Sequence, residues 1–145
     1  MISCTRRIEW DAMHRIPRHE SACKAYHGHR YAADITCVPV GAQLDELGRV
    51  VDFSVIRDRV GGWVQQHWDH TAILMQGDPD PSVAAVAEAN ARHGRPVYWM
   101  EGAPTAENLS AELGRISGEL LLDTGVRVSR VRIWETPKCY ADWSP

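Results

Sequence analysis

Three histidines are placed where they could share one metal ion. His27 and His29 stand either side of Gly28, and His14 lies upstream in a run of alternating apolar residues. On an extended chain, residues two apart point to the same side, so His27 and His29 can turn both rings toward one cation. Three neutral imidazoles suit zinc and leave a fourth tetrahedral position open, which distinguishes a catalytic zinc from a structural one. Taken singly, each histidine has an ordinary explanation as a surface or core residue. The His-Gly-His spacing, with a third histidine on a neighbouring strand, favours a metal. Imidazoles also accept other divalent metals, so ligand type alone does not select zinc.

Other reactive side chains gather around this trio in the sequence. Cys23, four residues before His27, has three readings: a fourth ligand closing a structural site, a base or nucleophile beside an open one, or a buried inert thiol. Asp69-His70 is a carboxylate and imidazole in succession, a pair that works only if a turn brings the two side chains together. The plainer alternative is a helix-terminal histidine beside an exposed aspartate. Glu135 is a carboxylate on an otherwise apolar strand face, where a charge is costly without a partner. An internal arginine would serve, and so would a ligand with two adjacent N–H groups, such as a pterin or guanine. Thr105 and Glu107, at a helix start, read either as capping residues or as lining of the same pocket, with capping the simpler role for Thr105.

The elements that must position these residues follow from periodicity. Ile8, Trp10, Ala12 and His14 alternate as a first strand, and His27, His29, Tyr31, Ala33, Ile35 and Cys37 fall on one face of a second, with Ser21 to Lys24 a loop between them. Asp52-Phe53-Ser54 opens a helix, with Asp52 or Ser54 as N-cap and Ile56, Val60, Val64 and His67 as its buried stripe. Gly61-Gly62 weakens its middle by about 1 kcal/mol per glycine relative to alanine. Gly77 to Pro96 is expected to be an insertion over the core carrying a short helix, Ser82 to Ala91, followed by a short strand over Val97–Met100. Thr105 caps a second helix with Leu109, Leu113, Ile116 and Leu120 buried and Gly125 as its stop. A final pair of strands places Val131, Ile133 and Glu135 on one face, turns at Pro137 and returns over Cys139–Trp143. The expected fold is α+β: a four-stranded antiparallel sheet with two helices on one face, its open edges paired with another copy of the chain.

Composition narrows the function classes. A 145-residue chain with 44% hydrophobic content supports one domain, taken as residues 1–145. Its aliphatic runs are too short to span a membrane, and Arg6 and Arg7 precede any apolar stretch, so neither a membrane segment nor an export signal is expected. Four widely spaced cysteines fit a reducing compartment, which makes the cytoplasm the expected location. Net charge is −3, although residues 1–30 hold six Arg/Lys against three Asp/Glu. A mildly acidic chain argues against nucleic-acid binding, whereas local positive charge near the histidines suits a small phosphorylated substrate.

Taken in order, these pieces resemble the 6-pyruvoyl-tetrahydropterin synthase and 6-carboxy-tetrahydropterin synthase family. The resemblance is carried by Trp10-Asp11-Ala12-Met13-His14-Arg15, Cys23-x-x-x-His27-Gly28-His29, Gly48-x-Val50-Val51-Asp52-Phe53, Asp69-His70, Pro104-Thr105-Ala106-Glu107-Asn108 and Glu135-Thr136. It implies that His14, His27 and His29 bind Zn2+, that Cys23, Asp69 and His70 move protons, and that Glu135 anchors a pterin. It also implies the tunnelling fold (T-fold), in which sheets of several subunits close into an oligomeric β-barrel, commonly a hexamer built as a dimer of trimers. The implied reaction converts 7,8-dihydroneopterin triphosphate to 6-carboxy-5,6,7,8-tetrahydropterin with release of acetaldehyde and triphosphate, on the way to queuosine and other 7-deazapurines. The alternatives are triphosphate elimination alone, giving the pyruvoyl pterin, a non-catalytic pterin-binding module with structural zinc, and a zinc hydrolase, for which no His-Glu-x-x-His signature is present. Trp10, Met13 and Trp68 depart from the family's usual residues but remain apolar.

Overall fold

Alternating burial builds the sheet around two long strands, β1 (Cys4–His14) and β2 (His27–Pro39), which pair antiparallel with His14 opposite His27 and Ala12 opposite His29. The computed structural model describes residues 1–41 and 43–145. Strand β5 (Val126–Thr136) pairs with the other edge of β2, and β6 (Cys139–Trp143) returns along β5 as the sequence predicts. Glu135 falls where the β5–β6 register slips between Trp134 and Thr136. It is therefore the extra residue of a bulge, a device that re-aims a side chain.

The sheet is larger than the four antiparallel strands expected. Two further strands, β3 (Thr71–Met75) and β4 (Tyr98–Met100), join parallel beyond β1, giving a mixed six-stranded sheet in the order β4-β3-β1-β2-β5-β6. Thr71–Met75 is short and almost wholly buried, so it lacks the alternation that marks a half-exposed strand. The sheet of one chain stays open, with β4 and β6 at its edges, and does not close into a barrel.

One face of the sheet carries the main core. Helix α1 (Phe53–Ile56), a π-helical turn (Arg57–Gly61) and α2 (Gly62–His67) run on from one another, with Asp52 accepting the Ser54 N–H as N-cap. Ile56, Val60, Val64 and Trp68 are buried, so the stripe ends on Trp68 rather than the expected His67. The wider π turn beside Gly61-Gly62 delays the stripe by one position. Trp10 stacks on Tyr31 with ring centroids 5.4 Å apart and meets Trp68 at 5.5 Å. Helix α4 (Ala106–Leu120) adds Leu109 and Leu113, and each fully buried side chain of this size contributes roughly 1.5–3 kcal/mol. It ends at Leu120, ahead of Gly125, whose positive φ instead precedes β5.

The Gly77 to Pro96 segment is the crossover between the two parallel strands. Its helix α3 (Ser82–Arg92) packs Val83 and Val86 on Ala72 and Leu74, while Ile73 between them belongs to the main core. The helices are thus divided between two faces, with α3 opposite the others. Among the described residues no helix is long and apolar enough to cross a membrane.

Candidate active site

Strands β1 and β2 bring the three histidines together because directly opposite residues, and those two along from them, share a face. Potential ligand atoms of His14, His27 and His29 all lie within 4.8 Å of one another. Nδ1 of His14 donates to the Pro104 carbonyl at 2.8 Å, and Nδ1 of His27 donates to the Ala25 carbonyl at 2.8 Å. A carbonyl only accepts, so both rings carry their proton on Nδ1 and present a lone pair at Nε2. These two Nε2 atoms face each other at 3.0 Å. Two lone pairs at that distance repel unless a cation stands between them.

His29 adds a third nitrogen. Its Nε2 is buried without a hydrogen-bond partner, although Glu135 Oε1 lies 3.3 Å away. Burial, reinforced by the other two histidines, pushes the His14 pKa down to about 4, which keeps the ring neutral and able to ligate near neutral pH. Burial also lowers His29, against the opposing pull of Glu135. The donor set therefore fits a divalent metal such as zinc. Glu135 Oε1 is 3.2 Å from His14 Nε2, so the bulge aims this carboxylate at the nitrogen cluster as well as at the space beside it.

That space is a cavity of about 240 Å³ whose wall includes Cys23, Thr105, Glu107 and Glu135. Cys23 sits in a single 3₁₀ turn, Ala22–Lys24, and its carbonyl accepts from the Ile16 N–H at 2.9 Å, closing the loop back toward β1. The nitrogen cluster does not include its sulfur. Thr105 caps α4 by accepting the Asn108 N–H at 3.3 Å and also lines the cavity, so its two expected roles coincide. Two further residues of this wall, His19 and Cys139, escaped the reading of the sequence. Strand alternation back from Ala141 would have put Cys139 on the face of Glu135, whereas His19 lies in a loop where no periodicity marks it.

Asp69 and His70 form the expected pair in a turn after α2. His70 adopts a positive φ of 57°, and its Nδ1 lies 2.9 Å from Asp69 Oδ2. Asp11 braces the turn: its N–H donates to Asp69 Oδ1 at 3.1 Å and its carbonyl accepts the His70 N–H at 2.7 Å. Burial opposes ionisation of Asp69, but the Asp11 N–H and His70 outweigh it and hold the carboxyl below its ordinary value. His70 lines a different cavity, about 500 Å³, with Asp11, Thr71 and Asn90. Within one chain, the dyad and Cys23 do not share a cavity.

An α+β domain that gathers three ring nitrogens beside a wall of thiol and carboxylates has a donor set that could hold a metal ion next to a small cavity. The chain belongs to the 6-pyruvoyl tetrahydropterin synthase family, which it matches over residues 3–145. It is 41% identical over 143 residues to the 6-carboxy-5,6,7,8-tetrahydropterin synthase of Rickettsia bellii, covering 98% of this chain and 99% of that one. The protein of the same name from Rickettsia felis is 37% identical with the same coverage. Among solved structures, a Wolinella succinogenes protein superposes with a TM-score of 0.82 at 18% identity, covering 99% of this chain and 97% of that one. The 6-pyruvoyl tetrahydropterin synthase of Caenorhabditis elegans does so with a TM-score of 0.68 at 18% identity, covering 99% and 95%. The fold is thus that of the family, and the two Rickettsia relatives, similar along the whole chain, are named synthases.

Proposed function

We propose that this protein is a zinc-dependent lyase that takes 7,8-dihydroneopterin triphosphate and water to 6-carboxy-5,6,7,8-tetrahydropterin, acetaldehyde and triphosphate. The observation that carries the proposal is the pair of opposed Nε2 lone pairs, completed by His29, beside a cavity holding a thiol outside the nitrogen cluster. Full-length relatives named for the carboxy product support it over the pyruvoyl alternative. A zinc ion held by His14, His27 and His29 would supply Lewis acidity toward the hydroxyl groups of the substrate's side chain.

The chain's own residues do the rest. Glu135, turned into the cavity by its bulge, accepts the adjacent N–H groups of the pterin and fixes the ring. Cys23, as thiolate, removes a carbon-bound proton from the side chain. His70, oriented by Asp69 at 2.9 Å, relays protons. The dyad and Cys23 line separate cavities in one chain, with His29 on the wall of the dyad's, and the reading that fits the family's hexameric T-fold barrel is a working site completed between copies. Closure of Cys23 onto the metal, which a non-catalytic module would need, is not what the nitrogen cluster favours.

Incubation with dihydroneopterin triphosphate and mass analysis of the products tests the proposal. Acetaldehyde with a carboxypterin supports it, a pyruvoyl pterin selects the alternative, and no conversion removes both.

A further inference from the structure

We propose that Arg15 is a positioning residue for Cys23: it ties the crossover between β3 and β4 to the turn that carries the thiol, so that the crossover fixes where that turn stands beside the histidines. Arg15 follows His14 at the end of β1 and is buried, which is uncommon for a charged side chain unless it is paired. Its guanidinium meets acceptors from both segments. Nε donates to the Lys24 carbonyl at 2.9 Å, Nη1 donates to the Asp78 carboxylate, and Nη2 lies 3.6 Å from Asp80 Oδ2. The same group sits over the Tyr26 ring, 5.8 Å from its centroid. The Asp78 side chain is only 1% exposed, so solvent cannot stand in for its partner. Arg15, part of the N-terminal positive charge that suits a phosphorylated substrate, is therefore committed inside the chain.

The turn is held carbonyl by carbonyl. The Cys23 carbonyl takes the Ile16 N–H at 2.9 Å, the Lys24 carbonyl takes Arg15 Nε, and the Ala25 carbonyl takes His27 Nδ1 at 2.8 Å. Three successive carbonyls are thus claimed by His27 and by the two residues after His14. The 3₁₀ turn Ala22–Lys24 buries none of its residues, so hydrogen bonds rather than core packing hold it in place. Of the three bonds, only the one from Arg15 continues to a segment outside the β1–β2 connection, because the same guanidinium grips Asp78.

The crossover end is built as an anchor. Asp78 accepts the Asp80 N–H at 3.0 Å, and Asp80 accepts the Ser82 N–H at 2.9 Å and its hydroxyl at 2.6 Å, a run of side-chain turns leading into α3. With its proton given to Asp80, the Ser82 hydroxyl accepts from the Tyr26 hydroxyl at 2.8 Å, a second tie to the residue before His27. Tyr26 and Met13 also pack on the small core that α3 forms with Ala72 and Leu74. A buried ion pair is a weak source of net stability, because desolvation offsets its attraction, but its geometry specifies one arrangement of the parts it joins. Arginine suits that task, since one planar fork holds two acceptors at once, whereas a lysine ammonium is a point charge on a flexible stem.

Because the role rests on the proton transfer proposed above for Cys23, its test reads the loop separately from turnover. Amide hydrogen exchange, followed peptide by peptide in the full-length zinc-loaded protein, compares wild type with Arg15→Lys, Asp78→Asn and the double variant. Each single variant is expected to speed exchange over residues 16–26 about tenfold while peptides from α4 and β5 stay as in wild type. The kcat should fall about 10- to 100-fold, the scale for a small misplacement of a reacting group, with KM changed less than about threefold. The double variant should be no worse than Arg15→Lys, since Asp78 acts through Arg15 and the two losses are not additive. If breaking the buried pair unfolds the protein, Tyr26→Phe, which removes one hydroxyl from the second tie, is expected to speed exchange of the same segment and lower kcat about threefold each. Unchanged exchange over residues 16–26 overturns the assignment, as do additive losses in the double variant or a freed loop with kcat intact. A freed loop in variants of a protein that never turns over the pterin triphosphate would keep the tie and reject the proposed reaction alone.

Discussion

His14 and His27 meet nitrogen to nitrogen, their Nε2 atoms 3.0 Å apart, while each ring's Nδ1 is committed to a main-chain carbonyl. Both ring protons are spent on the backbone, and a metal ion held between the rings would relieve the contact left between them. Removing one ligand should therefore remove the metal. His27→Ala, the less buried choice, is expected to drop bound zinc from about one per chain to near zero, read by elemental analysis. Chelation of the wild type should lower Tm by roughly 5–10 °C, since a metal held at 100 times its Kd stabilises by about 2.7 kcal/mol and a chain of this size shifts about 2–4 °C per kcal/mol. Full zinc retention in His27→Ala would place the ion elsewhere.

Cys23 is outside the nitrogen cluster yet on the wall of the adjoining cavity. Cys23→Ala is expected to keep its zinc and lose turnover by about 100- to 10,000-fold, the range for a proton-transfer group. Zinc and activity lost together would instead make the thiol a ligand and the site structural.

The bulge at Glu135 sets a carboxylate within 3.3 Å of two nitrogens of the histidine cluster while leaving it on the cavity wall. Glu135→Gln exchanges one acceptor oxygen for a donor and is expected to weaken pterin binding about 10- to 100-fold, some 1.4–2.7 kcal/mol. Calorimetric titration with a non-reactive pterin on zinc-loaded protein checks this. Unchanged pterin affinity with altered zinc affinity would assign Glu135 to the metal instead.

These residues were legible in the sequence because each sits on a regular period or in a compact motif. Alternation in β1 and β2 put the three histidines on one face, and the Pro104 to Asn108 run marked the start of α4. What stayed hidden depends on tertiary placement. Thr71–Met75 is buried on both faces, so its pattern does not distinguish a strand from a buried helical segment. The bulge that turns Glu135 depends on β6 pairing, and the separation of His70 from Cys23 depends on which residues from distant parts of the chain line each cavity. His19 reaches the cavity wall on a loop that no periodicity encodes.

Helix α4 holds two interior glycines of opposite value. A Cβ at Gly114 would stand 2.2 Å from Cε3 of Trp143, the last residue of β6, whereas at Gly118 it would meet nothing within 4 Å. Gly114→Ala is therefore expected to destabilise by about 1–3 kcal/mol, because overpacking against the indole outweighs the gain in helix propensity. Gly118→Ala should stabilise by up to ~1 kcal/mol. Urea unfolding of the two variants compares them directly, and equal effects would mean that Trp143 does not seat on Gly114.

Across the face opposite the main core, Arg7, Asp34, Arg132 and Asp142 lie in register on β1, β2, β5 and β6, cation and anion alternating. Arg7 holds Asp34 through two hydrogen bonds of 2.8 Å, and the Trp134 indole N–H donates to the same carboxylate at 2.8 Å. Arg132 grips Asp142 through two bonds of 2.7 Å. The Arg7 bond, then Trp134, holds the Asp34 carboxyl below its ordinary value, and Arg132 does the same for Asp142. A carboxyl whose folded pKa is depressed stabilises the fold fully above its unfolded pKa, near 3.9, and loses that contribution as pH falls through the lower folded value. Asp34→Asn should thus cost about 1 kcal/mol at pH 7, where the pair is intact and partly screened. Below pH 4 its stability should fall less steeply than the wild type's, because the wild type there surrenders what the variant never had. Urea midpoints at pH 7, 4 and 3 decide it, and parallel acid limbs for the two proteins would show that Asp34 ionises alike in the folded and unfolded chain.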